Sequence, residues 1–331
     1  MHSQIRRQFL WSCALSSLGA MLTLSRVHAQ TLPDVARIFV GFPPGGAPDI
    51  VARRLAEQLA GKLAKVVFVD NRPGASGRLA VDAARQAMPD GLTLLLNPAG
   101  VLTINPHTFK KLNYEPFKDF SPIGLAAQID FGFSVGPAVP GDVKTIADFA
   151  RWAKANPGKV NYGSPAAGAP PHFVGDTLSR ELGLDMTHVP YRGAVPAMTD
   201  LVGGQLSAVV LTLCDMIQHA KAGRIRILAA TGPKRSKFAP ELPTFAEQKI
   251  PGLDMRDWFG IYIAGSPSTE VISKTSLLVR SAVTSTSYVE NLAAASLEAA
   301  TSSPQELDKL GRDDFARWAP IVKASGLVAD V

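Results

Sequence analysis

The sequence has few of the residues from which metal centres and disulfide frameworks are built. It contains two cysteines in 331 residues, Cys13 and Cys214, and Cys13 lies in an N-terminal segment that we expect to be removed. A single remaining thiol excludes an intramolecular disulfide and a thiolate metal site. The later histidines lack the spacing of metal ligands; they are His107, His172, His188 and His219. We therefore predict no bound metal and no cofactor.

Charge is also scarce, and half of the net charge belongs to the N-terminus. Charged residues make up 19% of the chain, with a formal net charge of +6. Residues 1–29 contain Arg6, Arg7 and Arg26 but no acid, so their removal halves that charge. The small remaining excess argues against a nucleic-acid partner.

The same N-terminal segment has the order of a secretory signal. Arg6 and Arg7 precede an apolar stretch from Phe9 to Leu24, and the segment ends in "VHA", with small or β-branched residues at Val27 and Ala29. This order predicts a signal peptide over residues 1–29 that is cleaved near Ala29, and "RRQFL" also fits the twin-arginine export pattern. A membrane anchor is disfavoured because the stretch is short and broken by Ser and Gly. No later segment is long and apolar enough to span a membrane, so we expect the mature protein to be soluble and exported.

Short apolar strands alternate with amphipathic helices along the rest of the chain. "RIFVGF", "KVVFVDN" and "LTLLLN" are predicted strands, and helices are predicted from Pro48 and over "GRLAVDAARQAM". Apolar runs of this length suit strands that are buried on both faces of a parallel sheet. The pattern restarts near Phe120 and ends in a helical C-terminal third. It predicts two α/β units, with the last helices returning to the first unit.

The run "FPPGGAPD" joins the first strand to a helix and has the properties of an anion site. The first N–H groups of a helix are unpaired and its dipole favours an anion there. Gly45 and Gly46 allow a ligand to approach the backbone. The chain lacks the lysine of G-x-x-x-x-G-K-[ST] and the spacing of G-x-G-x-x-G, which argues against a nucleotide. A tight turn without a ligand stays open as an alternative.

Several motifs in a fixed order carry a resemblance to a known family. "FPPGG", "NRPGA", "PDG", "VPYRG" and "WFGIYIAGSPS" follow one another along the chain. In this order they resemble the Bug-type extracytoplasmic solute receptors, the binding components of tripartite tricarboxylate transporters. The resemblance implies a two-lobed periplasmic binding protein. Each lobe would hold a mostly parallel sheet flanked by helices, with the ligand in the cleft between the lobes.

The resemblance also implies domain boundaries and partners. Residues 30–125 and 233–331 would form lobe 1, and residues 126–232 would form lobe 2. The ligand would be a small organic carboxylate, and the partner a transporter membrane subunit or, alternatively, a sensor kinase. The protein would act as a monomer and without catalysis.

In the family, one ligand carboxylate is held by two loops through backbone amides and ordered water. By resemblance these loops are residues 42–49 and 164–172. The resulting ligand-binding prediction comprises Phe42, Gly45, Gly46, Ala47, Asp49, Asn97, Ser164, Ala167, Gly168, His172, Tyr191, Thr212 and Trp258. Within this set we interpret Asp49 and His172 as supports for their loops, because an anionic Asp49 would repel a carboxylate.

Two departures from the family pattern bear on the ligand. Pro48 stands where many relatives carry Thr or Ser, so a hydroxyl donor is missing. Leu211 and Thr212 stand where relatives often carry a more polar or acidic residue. An apolar surface there favours a monocarboxylate or aromatic acid over an acidic amino acid.

An exported hydrolase that uses Ser164 and His172 is the alternative from a different class. Ser164, His172 and Asp176 have the composition of a catalytic triad. However, no G-x-S-x-G surrounds Ser164, and Asp176 lies one turn after His172 on the same predicted helix. The sequence therefore favours a binding protein.

Overall fold

The computed structural model describes residues 32–328 of the chain. The predicted signal peptide lies outside the described residues. Among residues 32–328, no helix combines the length and the apolar character that crossing a membrane requires.

The strands carry most of the core. In chain order they are β1 (Val35–Val40), β2 (Val66–Asn71), β3 (Thr93–Pro98), β4 (Phe120–Ile129), β5 (Phe131–Val135), β6 (Asn161–Ser164), β7 (Thr187–Pro190), β8 (Ala208–Thr212), β9 (Arg226–Ala230), β10 (Asp257–Ala264) and β11 (Glu298–Ala299). All side chains of β10 are buried, as expected for a strand in the interior of a sheet.

Helices follow most of these strands. In chain order they are α1 (Ala47–Leu59), α2 (Arg78–Arg85), α3 (Gly100–Thr103), α4 (Asn105–Thr108), α5 (Pro116–Asp119), α6 (Ile146–Ala155), α7 (Pro170–Leu182), α8 (Ala194–Val202), α9 (Leu213–Lys221), α10 (Thr269–Val283), α11 (Thr286–Ala294) and α12 (Pro304–Ser325). A 3₁₀ turn over Ala75–Gly77 precedes α2.

The strands form two mixed sheets within the described residues. The first has the order β11-β4-β10-β3-β1-β2 and the second the order β7-β6-β8-β5-β9. In the first sheet, β1 pairs in parallel with β2 and β3, whereas β10 runs antiparallel to β3 and β4. In the second, β6 pairs in parallel with β7 and β8, and β5 runs antiparallel to β8 and β9. Most strands of each sheet therefore share one direction, as predicted.

Residues with a local preference for helix termini set several helix ends. Thr145 caps α6 with a capping box that includes Asp148. α7 ends at Gly183, which adopts a left-handed conformation with φ of 59°. Ser268 and Ser303 cap α10 and α12 through their hydroxyls.

β4 has no counterpart among the predicted strands. Pro122 and Gly124 interrupt its sequence pattern, yet the strand pairs with β10 from Phe120 to Ile129 with two register shifts. A Cβ on Gly124 would lie 3.0 Å from the Ser302 carbonyl oxygen, so the glycine lets a neighbouring segment approach.

The chain changes sheet at two places. Asp130 separates β4 in the first sheet from β5 in the second, and the return lies between β9 and β10. Arg256 Nε donates to Asp130 Oδ1 at 2.8 Å and links the two passages. The Phe131 N–H also donates to Thr231 Oγ1. The lobe boundaries predicted at 125/126 and 232/233 stay predictions.

Candidate functional site

A cavity of about 70 Å³ lies where the carboxyl ends of β3, β4 and β8 meet the starts of β5 and β10. Pro98 of β3, Ile129 of β4, Phe131 of β5 and Thr212 of β8 line it, together with Phe259 of β10. Its walls are rich in proline; these residues are Pro43, Pro44, Pro48, Pro98, Pro165, Pro170, Pro171 and Pro196. Proline carries no N–H donor, so much of the wall is apolar and cannot donate a hydrogen bond.

The first predicted loop presents the start of α1 to this cavity. Phe42, Gly46 and Ala47 line the cavity, and Gly46 is the N-cap with no side chain to occupy the helix end. The backbone N–H of the N-cap residue Gly46 therefore lies at the cavity wall, at the start of α1. This arrangement can receive an anion.

Asp49 supports that loop from behind. Its Oδ2 accepts the Gly45 N–H at 3.0 Å and Arg53 Nε at 2.9 Å, and its Oδ1 accepts Asn71 Nδ2 at 3.0 Å. Asn71 Nδ2 also donates to the Phe42 carbonyl. Burial alone would raise the pKa of Asp49, but these hydrogen bonds outweigh it and lower the pKa below its usual value. Asp49 is 3% exposed and does not line the cavity.

The second predicted loop is organised differently, because several of its N–H donors bond within the loop. The Gly168 N–H donates to His172 Nδ1 at 3.1 Å, and the N–H groups of Ala169 and His172 donate to carbonyls within the loop. Pro170 and Pro171 occupy the first two positions of α7 and have no N–H. The loop residues that line the cavity are Pro165, Ala169, Pro170 and Pro171.

Ser164 and His172 do not form the pair that a hydrolase would need. Ser164 is fully buried, and its hydroxyl donates to the Ala166 carbonyl at 3.0 Å. Its Oγ also lies 2.8 Å from His188 Nε2, which we assign as the donor because the hydroxyl proton is already used. Burial and the neighbouring His172 lower the pKa of His188 to about 3, so this ring is neutral. Ser164 therefore pairs with His188 and not with the His172 of the alternative hydrolase.

His172 is a buried support of its loop. Its ring stacks on His188 with 3.7 Å between centroids, and its Nε2 lies 3.2 Å from Asp176 Oδ2. Burial lowers the pKa of His172 despite the nearby Asp176 carboxylate. A neutral ring can accept the Gly168 N–H at Nδ1.

Two carboxyl groups that the sequence analysis did not select line the cavity. Asp215 lies in the first turn of α9, where it bonds to Thr212 Oγ1 and accepts the Ala47 N–H from the start of α1. Asp257 begins β10, and its Oδ1 accepts the Trp258 N–H at 2.8 Å. Burial raises the pKa of Asp215 to about 6 and that of Asp257 to about 7.

Three predicted residues lie away from the cavity. The Trp258 ring donates through Nε1 to Asp314 Oδ2, on the side of β10 opposite to Phe259. Tyr191 donates its hydroxyl to Asp200. Asn97 is fully buried; its Oδ1 accepts the Gly41 N–H at 3.3 Å, so it lies beneath the first loop.

The structure thus brings part of the predicted set together. Phe42, Gly46, Ala47 and Thr212 line the cavity. Gly45 donates its N–H to Asp49, and Ala167 accepts a hydrogen bond from Ser76 Oγ at its carbonyl. One of the two missed acids had a sequence signal. Asp215 follows the end of a buried strand, which is where ligands of α/β proteins bind.

Comparison with known proteins decides the family. Residues 51–327 match the model described as the tripartite tricarboxylate transporter family receptor. The chain belongs to this family. It is 28% identical over 318 residues to BugT of Bordetella pertussis, covering 94% of this chain and 97% of that protein. It is 30% identical over 329 residues to a UPF0065 protein from the gbd 5′ region of Cupriavidus necator, covering 97% and 98% of the two chains.

Solved structures of similar receptors share the fold. The periplasmic binding protein BugD superposes with a TM-score of 0.83 at 28% identity, covering 90% of this chain and 99% of that one. An R. palustris protein solved with adipate gives a TM-score of 0.84 at 28% identity, with coverage of 90% and 99%. The predicted Bug-type resemblance and the two-lobed α/β class are confirmed. The protein is a solute-binding receptor of the periplasmic type.

Proposed function

We propose that the protein captures a small organic carboxylate in the cavity between its two sheets and delivers it to a transporter membrane subunit. The observation that carries this proposal is the position of the cavity, which is lined by the starts of two helices, one from each sheet's side. Gly46 and Ala47 belong to the start of α1, and Ala194 and Val195 to the start of α8. Their N–H groups have no partner within their own helices. The adipate bound by the similar R. palustris protein supports an acid as ligand.

The mechanism rests on preset donors. A carboxylate that enters the cavity exchanges its hydration for backbone N–H groups that already point from helix ends, so little has to reorganise. The dipoles of α1 and α8 add to this attraction. The sequence analysis expected backbone N–H groups of the second loop to hold the carboxylate. We propose that those at the start of α8 do so instead, because Pro170 and Pro171 have no N–H. The second loop instead supplies an apolar wall.

Contacts across the cleft support a closing motion. Ser76 Oγ donates to the Ala167 carbonyl at 2.9 Å and connects the turn before α2 to the second loop. A Cβ on Gly193 would lie 3.0 Å from Pro43 Cδ, so the turn before α8 packs closely on the first loop. We propose that the two passages at Asp130 and Arg256 act as the hinge and that these contacts form on closure.

A screen of the exported protein tests this function. The protein would be purified from the periplasm, and its melting temperature measured with a panel of mono-, di- and tricarboxylates, amino acids and amines. We expect at least one acid to raise the melting temperature in a concentration-dependent way, because a ligand of the native state stabilises it. Native mass spectrometry would detect solutes retained on purification. The proposal fails if no acid stabilises the protein and none is retained.

The alternative of a signalling role concerns the partner and not the ligand. A sensor kinase would read the same closed form that a transporter subunit would accept. Deletion of the transporter subunits abolishes uptake of the identified solute in the transport case. In the signalling case uptake is unchanged, and deletion of the sensor kinase abolishes the transcriptional response to the solute.

A further inference from the structure

The charge of the cavity wall does not suit a ligand that carries only negative charge. Within the described residues, Asp215 and Asp257 line the cavity, and no Lys, Arg or His does. The remaining wall is mainly proline, aromatic and aliphatic. A dicarboxylate that placed one end at the helix starts would bring its other end toward these acids without a neutralising cation.

One carboxylate oxygen of Asp257 lacks a hydrogen-bond donor within the described residues, and a ligand can supply that donor. The side chain is 6% exposed, and its Oδ1 is occupied by the Trp258 N–H. Its Oδ2 is buried without any hydrogen-bond partner among the described residues. An unsatisfied buried carboxyl oxygen is costly and needs an explanation. A positively charged donor in the adjoining cavity would satisfy it.

Asp215 reduces the room for a second anion at α1. Its carboxylate accepts the Ala47 N–H, although Asp215 comes from the second sheet's side of the cleft and Ala47 from the first. One donor of α1 is therefore already used by a carboxylate of the protein. The N–H groups at Gly46 and at the start of α8 remain for the carboxylate of a ligand.

We propose that Asp257 and Asp215 select a solute that carries an ammonium group in addition to its carboxylate. The carboxylate lies at the helix starts, the carbon chain lies against the proline and phenylalanine walls, and the ammonium group donates to Asp257 Oδ2 and faces Asp215. This inference rests on the proposed function and specifies the chemical class of its ligand. Leu211 and Thr212 favoured a monocarboxylate or aromatic acid in the sequence analysis, because neither residue is acidic. The cavity has its acids at other positions of the chain, so we now propose an amino acid as the ligand.

Matched pairs of solutes test this selection on the unmodified protein. Each pair keeps the length and one carboxylate, and exchanges the other carboxylate for an ammonium group: succinate with β-alanine, glutarate with γ-aminobutyrate, and adipate with δ-aminovalerate. Calorimetry would give the Kd of each. For the length that fits, we expect the amino acid to bind at least about thirtyfold more tightly than its dicarboxylate partner, the lower end for a buried charge pair.

The outcomes separate the two proposals. If a dicarboxylate binds as tightly as its amino partner or more tightly, the selection of an ammonium group is wrong and the receptor function stands. If no member of either series binds and no acid of the wider panel stabilises the protein, the proposed function itself fails.

Substitutions test which residues cause the preference for an amino acid over a dicarboxylate. Asp257→Asn and Asp215→Asn should each reduce the preference for the amino acid, with the larger loss in Asp257→Asn. Asp142→Asn changes the net charge equally at an exposed position away from the cavity and should keep the preference. A preference that survives both cavity substitutions would overturn the assignment to these residues. Should Asp257→Asn fail to fold, the matched pairs on the unmodified protein still decide the selection.

Discussion

The two glycine- and proline-rich loops look alike in sequence and differ in structure. Both follow a strand and precede a helix with proline in its first turn. The first loop leaves backbone N–H groups at the cavity and holds itself in place through the carboxylate of Asp49. The second uses several of its N–H groups internally, with that of Gly168 donating to the neutral ring of His172, and presents proline rings to the cavity.

The difference teaches that a helix start after a strand is an anion site only where its donors remain free. Pro48 removes one donor from α1 and Asp215 accepts the N–H of Ala47, which leaves that of Gly46, whereas consecutive prolines remove the first two donors of α7. One loop can then act as the polar contact of the cleft and the other as its apolar contact.

The largest expected effect comes from filling each loop with the same side chain. Gly46 has φ of −85°, and a Cβ there would meet nothing closer than Pro48 Cδ at 3.9 Å. Gly46→Val should fold normally and fill the cavity, weakening solute binding by roughly a hundredfold, as overpacking of a close-fitting site does. Calorimetry with the solute found in the screen measures this.

The same substitution in the second loop should act on stability. Gly168 has φ of +71°, and a Cβ there would lie 2.9 Å from Thr108 Cγ2. Gly168→Val should therefore lower the melting temperature, whereas Gly141→Val, in open space, should alter neither property. Wild-type binding by Gly46→Val would refute the assignment of the first loop.

A smaller effect is expected from removing the support of the first loop. Asp49→Ala leaves the Gly45 N–H and the Arg53 and Asn71 side chains without their shared acceptor, which should cost about 1–3 kcal/mol of unfolding free energy. The matched control is Glu57→Ala, whose exposed pair with Arg54 should contribute about 0–1 kcal/mol. Urea unfolding measures both, and equal losses would show that Asp49 does not support the loop.

The smallest expected effect is a response of one loop to acid. The pKa of His172 is lowered by burial, so the unfolded chain takes up its proton first as pH falls through about 6.5, and the stability contributed by the neutral ring is lost on acidification. The pKa of Asp49 is also lowered, so its contribution persists until pH falls below about 3.8.

Amide hydrogen exchange can follow both loops at once. Between about pH 7.5 and about pH 5.5, protection of the Gly168 N–H should fall severalfold after correction for intrinsic exchange, while protection of the Gly45 N–H should not. Equal protection of Gly168 at both pH values would contradict the role given to His172.

Local patterns predicted much of the fold. Buried apolar runs such as those of β1 and β3 indicate interior strands when helices alternate with them. Thr145 and Gly183 are of residue types that favour helix ends, as an N-cap and as a left-handed C-cap. β4 escaped prediction because its proline and glycine are accommodated by pairing with β10 and by contact with Ser302, which are distant in sequence.

The candidate site was less predictable because its properties depend on partners in space. The sequence "SPAAGAPPH" does not reveal that His172 accepts a hydrogen bond from the Gly168 N–H or that Ser164 forms one with His188. Trp258 and Phe259 are adjacent, and only the sheet register decides which ring reaches the cavity. Asp215 and Asp257 are far apart in the chain and become a pair only through the cavity that both line.

The proline-rich wall has a consequence for water in the cleft. A buried water is held well where it finds two to four polar partners, and eight prolines offer few. Water against this wall is therefore weakly ordered and easily expelled by the carbon chain of a solute. Because each proline ring also fixes its own backbone dihedral, the wall does not stiffen further when the solute arrives. A cleft with such a wall can exchange its contents rapidly, as the proposed capture and delivery of a solute require.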